Sequence, residues 1–368
     1  MIRPAIFRSV SFASRAPCSF ARLLLTGALG LLAAGAAMAA ATGSATDTAP
    51  RAIWHADIAT GYERLLESTR ALDQATQRFC DAPSASALDE LKGDWRDAFF
   101  DWQRVRFVDF GPIDLDSRAW QFQFWPDSKN LVARKADYWL SDGRTATSEA
   151  IAGGSIAVQG FPALEYLLFD ASLAGRGIKP SDAQACALLT AIAGHLAQEA
   201  TEVNQEWQAF ATFYKTTDTL TDTTIHAAMT GLEILVDRRL ASPLGLRGTP
   251  QVNPYAADAW RSGVSLGTLR ASIEGMKRYF APGLRALLAE RGLDELIAPL
   301  DEQLASTLAE IQALEKRERS LGEMLETQEG YADLQSLFIE ASQLKQLING
   351  RIAAALGVVT GFNSSDGD

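Results

Sequence analysis

The chain has 368 residues, 47% hydrophobic and 21% charged, with 45 acidic against 34 basic side chains and a formal net charge of −11. That composition excludes a disordered chain and is long enough for two domains. Its excess of acid argues against a nucleic-acid partner, whose phosphates it would repel, and favours solubility and an attraction for cations.

The first forty residues stand apart from the rest. Arg3, Arg8, Arg15 and Arg22 occur with no acid, followed by the apolar run LLLTGALGLLAAGAA and by Ala37-Met38-Ala39. A basic start, a short apolar core and small residues at an A-x-A site predict a secretory signal peptide over 1–39, cut near Ala39. The apolar run falls short of the roughly 20 residues that a membrane span needs, so no stable membrane insertion is expected after removal. Losing four arginines takes the formal charge from −11 to about −15.

Beyond the leader, apolar residues recur at three and four positions and no period-two segment of strand length is found, which predicts an all-α fold. A first helix is expected over about 52–80, with Trp54, Ile58, Tyr62, Leu65 and Leu66 on its buried side. DAPSASALDE supplies a turn, and Ser86 with Asp89 resembles a capping pair. A second helix, about 88–110, sets Trp95, Phe99, Trp102 and Val105 on one stripe and ends at FGPID, where proline forbids continuation. Residues 111–160 mix acids, Arg118, aromatics, prolines and glycines, the pattern of short helices joined by loops that present binding groups.

GFPALEYLLFD, residues 160–170, is then apolar nearly all round when wound as a helix, with one carboxylate, Glu165, in its midst. A long helix follows from Ser181 to about Tyr214, with Asp182 in its first turn. YKTTDTLTDTT breaks the pattern and separates two helical units, 40–215 and 216–360. The second unit resumes with IHAAMTGLEILVDRRL, is interrupted by the proline- and glycine-rich stretch 241–260, and ends in three or four helices. The tail 361–368, GFNSSDGD, is expected to be disordered.

Few side chains are candidates for chemistry. Cys80 and Cys186, an even pair in an exported chain, suggest one disulfide, with two buried thiols as the alternative. His55, His195 and His226 lie in no zinc spacing, and there is no nucleophile elbow or phosphate loop. Glu165 is the exception: an ionised carboxylate buried alone costs several kcal/mol, so it must be protonated, paired or bound to a metal. Arg118, Lys129 and Arg261, which lie beside aromatics or turns, are the candidate cations.

Taken together, GFPALEYLLF, the Trp95, Trp102, Phe110-Gly111-Pro112 series, FWPDSKN at 124–130, ASPLG at 241–245 and AWRSGVSL at 259–266 resemble the imelysin family. The resemblance spans nearly all of the chain after the leader. It implies a periplasmic, all-helical protein of two helical-bundle domains packed around a cleft, in a family named for a peptidase and linked to iron regulation or uptake.

The family's hallmark is Gly-x-His-x-x-Glu; Gly160 and Glu165 match it, but Pro162 stands at the histidine position. Proline offers no metal-binding side chain, so the inherited site is incomplete and peptide hydrolysis is not expected. The resemblance therefore implies a binding or accessory protein. Glu165, Pro162, Arg118, Asp127, Lys129, Arg261 and Ser262 are its expected ligand-binding residues. Oxygen-only coordination of iron or another divalent metal by Glu165 with Asp114 and Asp116 is the metal version. The ligand is then a metal ion, a chelate or a small polar molecule, and other envelope iron-uptake proteins are the expected partners. Two alternatives stand: a metallopeptidase that borrows His55 or His226, and a scaffold that binds a protein partner.

Overall fold

The structure, a computed structural model, describes residues 48–141, 143–248 and 250–358, and among them every regular element is helical. The expected signal peptide and the tail from 361 lie outside the described residues. No described helix is long and apolar enough to cross a membrane.

Thr48–Asp81 and Ala85–Val105 form the opening helical pair, joined through a three-residue turn. Ser84 caps the second helix by accepting a hydrogen bond from the Ala87 N–H, so the cap lies two residues before the expected Ser86 pair. That helix also stops at Val105, before the FGP segment, and the chain continues through 3-10 turns at Gly111–Ile113 and Leu115–Ser117. Trp54, Ile58, Tyr62 and Leu65 are fully buried, as the helical spacing requires, while Leu66 is half-buried.

The opening helix packs on Ala85–Val105 on one side and on Ala183–Ala209 on another. The disulfide Cys80–Cys186 joins its last turn to the first turn of Ala183–Ala209, with Cα atoms 5.6 Å apart. The free-thiol alternative is thereby excluded. Toward the C-terminal part, Trp54 Nε1 donates to Phe280 O at 2.7 Å, so a fully buried indole meets its polar requirement across 226 residues of sequence. Ser265–Gly275 lies against Ala85–Val105 so closely that a Cβ on Gly275 would collide with the Arg104 carbonyl.

Three helical stretches widen into π-helix, at Ile234–Leu240, Met276–Phe280 and Gln346–Ile352. π-turns of this kind re-aim side chains and gather at functional positions. The first of them carries Arg238 and Arg239, which border two different cavities.

Candidate functional site

The GFPALEYLLF segment is a helix from Gly160 to Phe169, and eight of its ten residues are buried. Its start is set by Gly160, whose φ of +68° suits glycine and whose missing Cβ leaves room for the carbonyls of Gln121 and Phe122. Pro162 falls in the first turn, where an absent N–H breaks no helical hydrogen bond. Trp95 packs on Phe169 and donates through Nε1 to Phe161 O at 3.2 Å, fixing the helix against the second helix of the chain.

Glu165 is 4% exposed. Its Oε1 accepts two hydrogen bonds from one residue, Ser262, through the backbone N–H and the side-chain hydroxyl, both at 2.8 Å. No described residue donates to Oε2. The Ser262 hydroxyl has a second acceptor, Ala259 O at 3.1 Å, but only one proton to give. An ionised Glu165 draws that proton to the carboxylate; a protonated Glu165 frees it for the Ala259 carbonyl. Burial pushes the Glu165 pKa up to about 6, against the lowering effect of the Ser262 bonds and of the Arg261 charge.

The loop that delivers Ser262 is held in place by its own cation. Ala259 and Gly263 both take positive φ, which turns the chain sharply around Ser262. Arg261 Nε donates to Asp170 Oδ2 at 2.7 Å and its Nη2 to Asn130 Oδ1 at 2.9 Å, while the guanidinium lies 4.2 Å from the centroid of Trp260. Asp170 takes Ser172 N–H and Oγ on its other oxygen. Although burial works against its charge, the bonds from Ser172 and Arg261 hold the Asp170 pKa below the usual carboxylate range.

These groups border a cavity of about 780 Å³. Its walls come from residues 99–172 and 238–261, with Phe124, Trp125, Tyr255 and Trp260 as large aromatic faces and Glu165, Asp170, Arg238 and Arg261 as charged ones. Such a mixture, apolar walls with a few fixed polar groups, is that of a small-molecule pocket. Arg238 is exposed at its rim.

Several sequence expectations are redistributed by this geometry. Pro162, Asp127 and Arg261 border the cavity, and Ser262 is the direct partner of Glu165. Asp127 itself is occupied as a cap: its two oxygens accept the N–H groups of Leu131 and Val132 at 2.6 and 2.9 Å, opening the helix Leu131–Ser141. Arg118 is buried, but its guanidinium is taken by Glu199, Glu202 and Glu206 of Ala183–Ala209 and by Pro112 O, so it is no counter-ion for Glu165. Lys129 is exposed and does not line the cavity. Arg261 influences Glu165 by its charge alone, its hydrogen bonds going to Asp170 and Asn130.

The oxygen-only metal set is not assembled. Asp114 and Asp116 are exposed on the turns that follow the second helix, and among the described residues no three His, Cys, Asp or Glu side chains gather into a possible metal shell. No histidine lines the cavity. His55 is stacked on Trp207 with Nε2 at 3.0 Å from Trp207 O, and His226 acts electrostatically on Asp109, so neither replaces the missing motif histidine. The donor set therefore does not fit a resident metal. Sequence reasoning found Glu165 from its apolar surroundings but missed Asp170, Asn130 and Trp260. Asp170, the last residue of GFPALEYLLFD, and Trp260, beside Arg261, were the available signals.

Two solved structures share the architecture. An imelysin-like protein from Psychrobacter arcticum has 20% sequence identity and a TM-score of 0.73, covering 86% of this chain and 98% of its own. A candidate iron-regulated protein A precursor from Parabacteroides distasonis has 15% identity and a TM-score of 0.65, covering 85% and 97%. No curated protein sequence matches the chain. A family model described as Imelysin matches residues 58–348, most of the sequence, and the chain belongs to the imelysin family.

Proposed function

We propose that this is an exported, periplasmic accessory protein of the imelysin type that holds a small polar organic molecule, or a metal already wrapped in an organic chelator, in the aromatic-walled cavity beside Glu165. The observation that carries this reading is the carboxylate itself: buried, clamped through one oxygen by Ser262, with the other oxygen unclaimed in a residue that lines the cavity. Buried carboxylate oxygens in structural roles are in the large majority hydrogen-bonded. In this reading Glu165 supplies the polar end of the site, Trp260 and Tyr255 supply flat apolar faces, and Arg238 attracts the negative part of a ligand at the rim. Residues 40–215 and 216–360 are read as the two sides of the cleft.

The link to iron comes from the family and from the name of the Parabacteroides distasonis protein. A bare ion finds too few donors here, so a chelate is the form in which iron would suit this cavity. Peptide hydrolysis is not proposed, because Pro162 removes the motif histidine and the cavity offers no replacement.

The test is thermal stabilisation of the chelator-stripped protein by ferric citrate, by citrate alone and by free ferrous or zinc ions. A rise in Tm with citrate or its iron complex, abolished in Trp260→Ala and Glu165→Ala, is the expected result. A rise with bare zinc would replace this reading with a metal centre, and no response to any probe would remove the iron-linked ligand class.

A further inference from the structure

Away from Glu165, a second and much smaller cavity lies between the end of the second helix, the segment around Gly231 to Arg239, and Ser272 with Met276. Its volume is about 30 Å³, above the roughly 10–15 Å³ that one water-sized body needs and too small for phosphate. Phe107, Leu232, Leu235 and Met276 give it apolar walls. Arg106 and Arg239 line it as well.

Their hydrogen-bond requirements are not met by the protein. Arg239 is 3% exposed; its Nη1 donates to Ser272 Oγ at 2.7 Å, but its Nε has no acceptor. Its Nη2 stands 2.9 Å from Asp258 Oδ2, an ion pair without hydrogen-bond alignment. Arg106 Nη1 is shut off from solvent and is also without an acceptor. Arg106 lies over Trp125, a cation–π contact that holds the group but does not neutralise it.

The charges do not balance either. Arg106 and Arg239 bring two positive charges to a region where Asp258 brings one negative charge, and Asp258 is itself 2% exposed. Burial lowers the Arg106 pKa to about 9, and repulsion from Arg239 adds to that, with Asp258 opposing. Arg106, which is half-buried, keeps its charge at neutral pH, so together with Arg239 it sets more positive than negative charge beside these apolar walls, a costly arrangement unless an anion offsets it. A water molecule can accept a hydrogen bond here but cannot cancel the charge.

We propose that the cavity bounded by Arg106, Arg239 and Ser272 binds one small monovalent anion of chloride size. The anion would accept from Arg106 Nη1 and Arg239 Nε, two of the three guanidinium donors without a hydrogen-bond acceptor. Gln103 Oε1, a further unpartnered acceptor in the same wall, takes no part in holding the anion. The inference is independent of what occupies the larger cavity.

Crystals grown in bromide in place of chloride give the direct test. An anomalous peak within contact distance of Arg106 and Arg239 is expected. Density for water alone, or Arg106 closed onto Gln103 with no anomalous peak, would overturn the proposal. In solution at fixed ionic strength, replacing gluconate by chloride from about 10 to about 300 mM should raise Tm by on the order of 2–4 °C. Arg106→Gln removes the surplus charge and should abolish that chloride dependence; an equal response in wild type and variant would show a nonspecific salt effect. The wild-type bromide measurement decides the matter even if the variant fails to fold.

Discussion

Two buried ionic groups, Arg118 and Glu165, are 6% and 4% exposed and yet differ in how completely they are satisfied. Arg118 has all three nitrogens engaged, by Glu206 at 2.7 Å, Glu199 at 3.0 Å, Glu202 at 3.4 Å and the Pro112 carbonyl at 2.8 Å. Burial opposes its charge, but the bonds and charges of Glu206 and Glu199 outweigh that and raise its pKa. Glu165 has one oxygen satisfied, by a serine, and lines an open volume. Saturation of the first and incompleteness of the second separate a structural ion cluster from a site that has room for a ligand.

The strongest way to break this comparison is Arg118→Met. Three glutamates would be left around an apolar side chain, and a loss of roughly 3 kcal/mol is expected by urea denaturation, reduced somewhat because Glu202 and Glu206 are partly exposed. A loss below about 1 kcal/mol would mean that the cluster is not structural.

Glu165→Gln should act in the opposite direction. An acid whose pKa is raised on folding makes the folded state bind protons more tightly, so its contribution is full below the unfolded value and is lost as pH rises to about 6. The shift from 4.5 to about 6 corresponds to about 2 kcal/mol. The amide resembles the protonated acid and still accepts from the Ser262 N–H, so the variant should be about 2 kcal/mol more stable than the wild type at pH 8 and lose its share of the decline between pH 4.5 and 6. Equilibrium unfolding at stepped pH measures both. A clear destabilisation at pH 8 would show that the ionised form is held by a cation.

Smaller still is Ser262→Ala, which removes one donor and keeps the backbone one. A cost of about 1 kcal/mol is expected, with the Glu165 titration moving upward because a bond that favours the anion is gone. Carboxyl carbon NMR on the two proteins reads the direction; a downward movement would contradict the assigned hydrogen bond.

Much of the scaffold was legible in the sequence. The stripe of Trp95, Phe99 and Trp102 is buried where the helical period sets it, and Cys80 pairs with Cys186. Helix ends were less legible: the cap fell to Ser84, and the second helix ended at Val105, because competing serines and a turn before Pro112 satisfy the same local rules. At the site, burial of Glu165 followed from its apolar neighbours, but its partner lies 97 residues away. Arg118, an equally plausible cation by sequence, was claimed by glutamates spaced along one face of Ala183–Ala209.

What the sequence alone determined was local and periodic: helices, the faces they bury, a pair of cysteines, and a carboxylate too apolar in its surroundings to stand in water. Which donor meets that carboxylate, and which arginines are left without a matching anion, was decided only by the packing of distant segments. Hydrogen bonds and ion pairs act over a few ångströms of space, and the chain's order along the sequence does not specify that proximity.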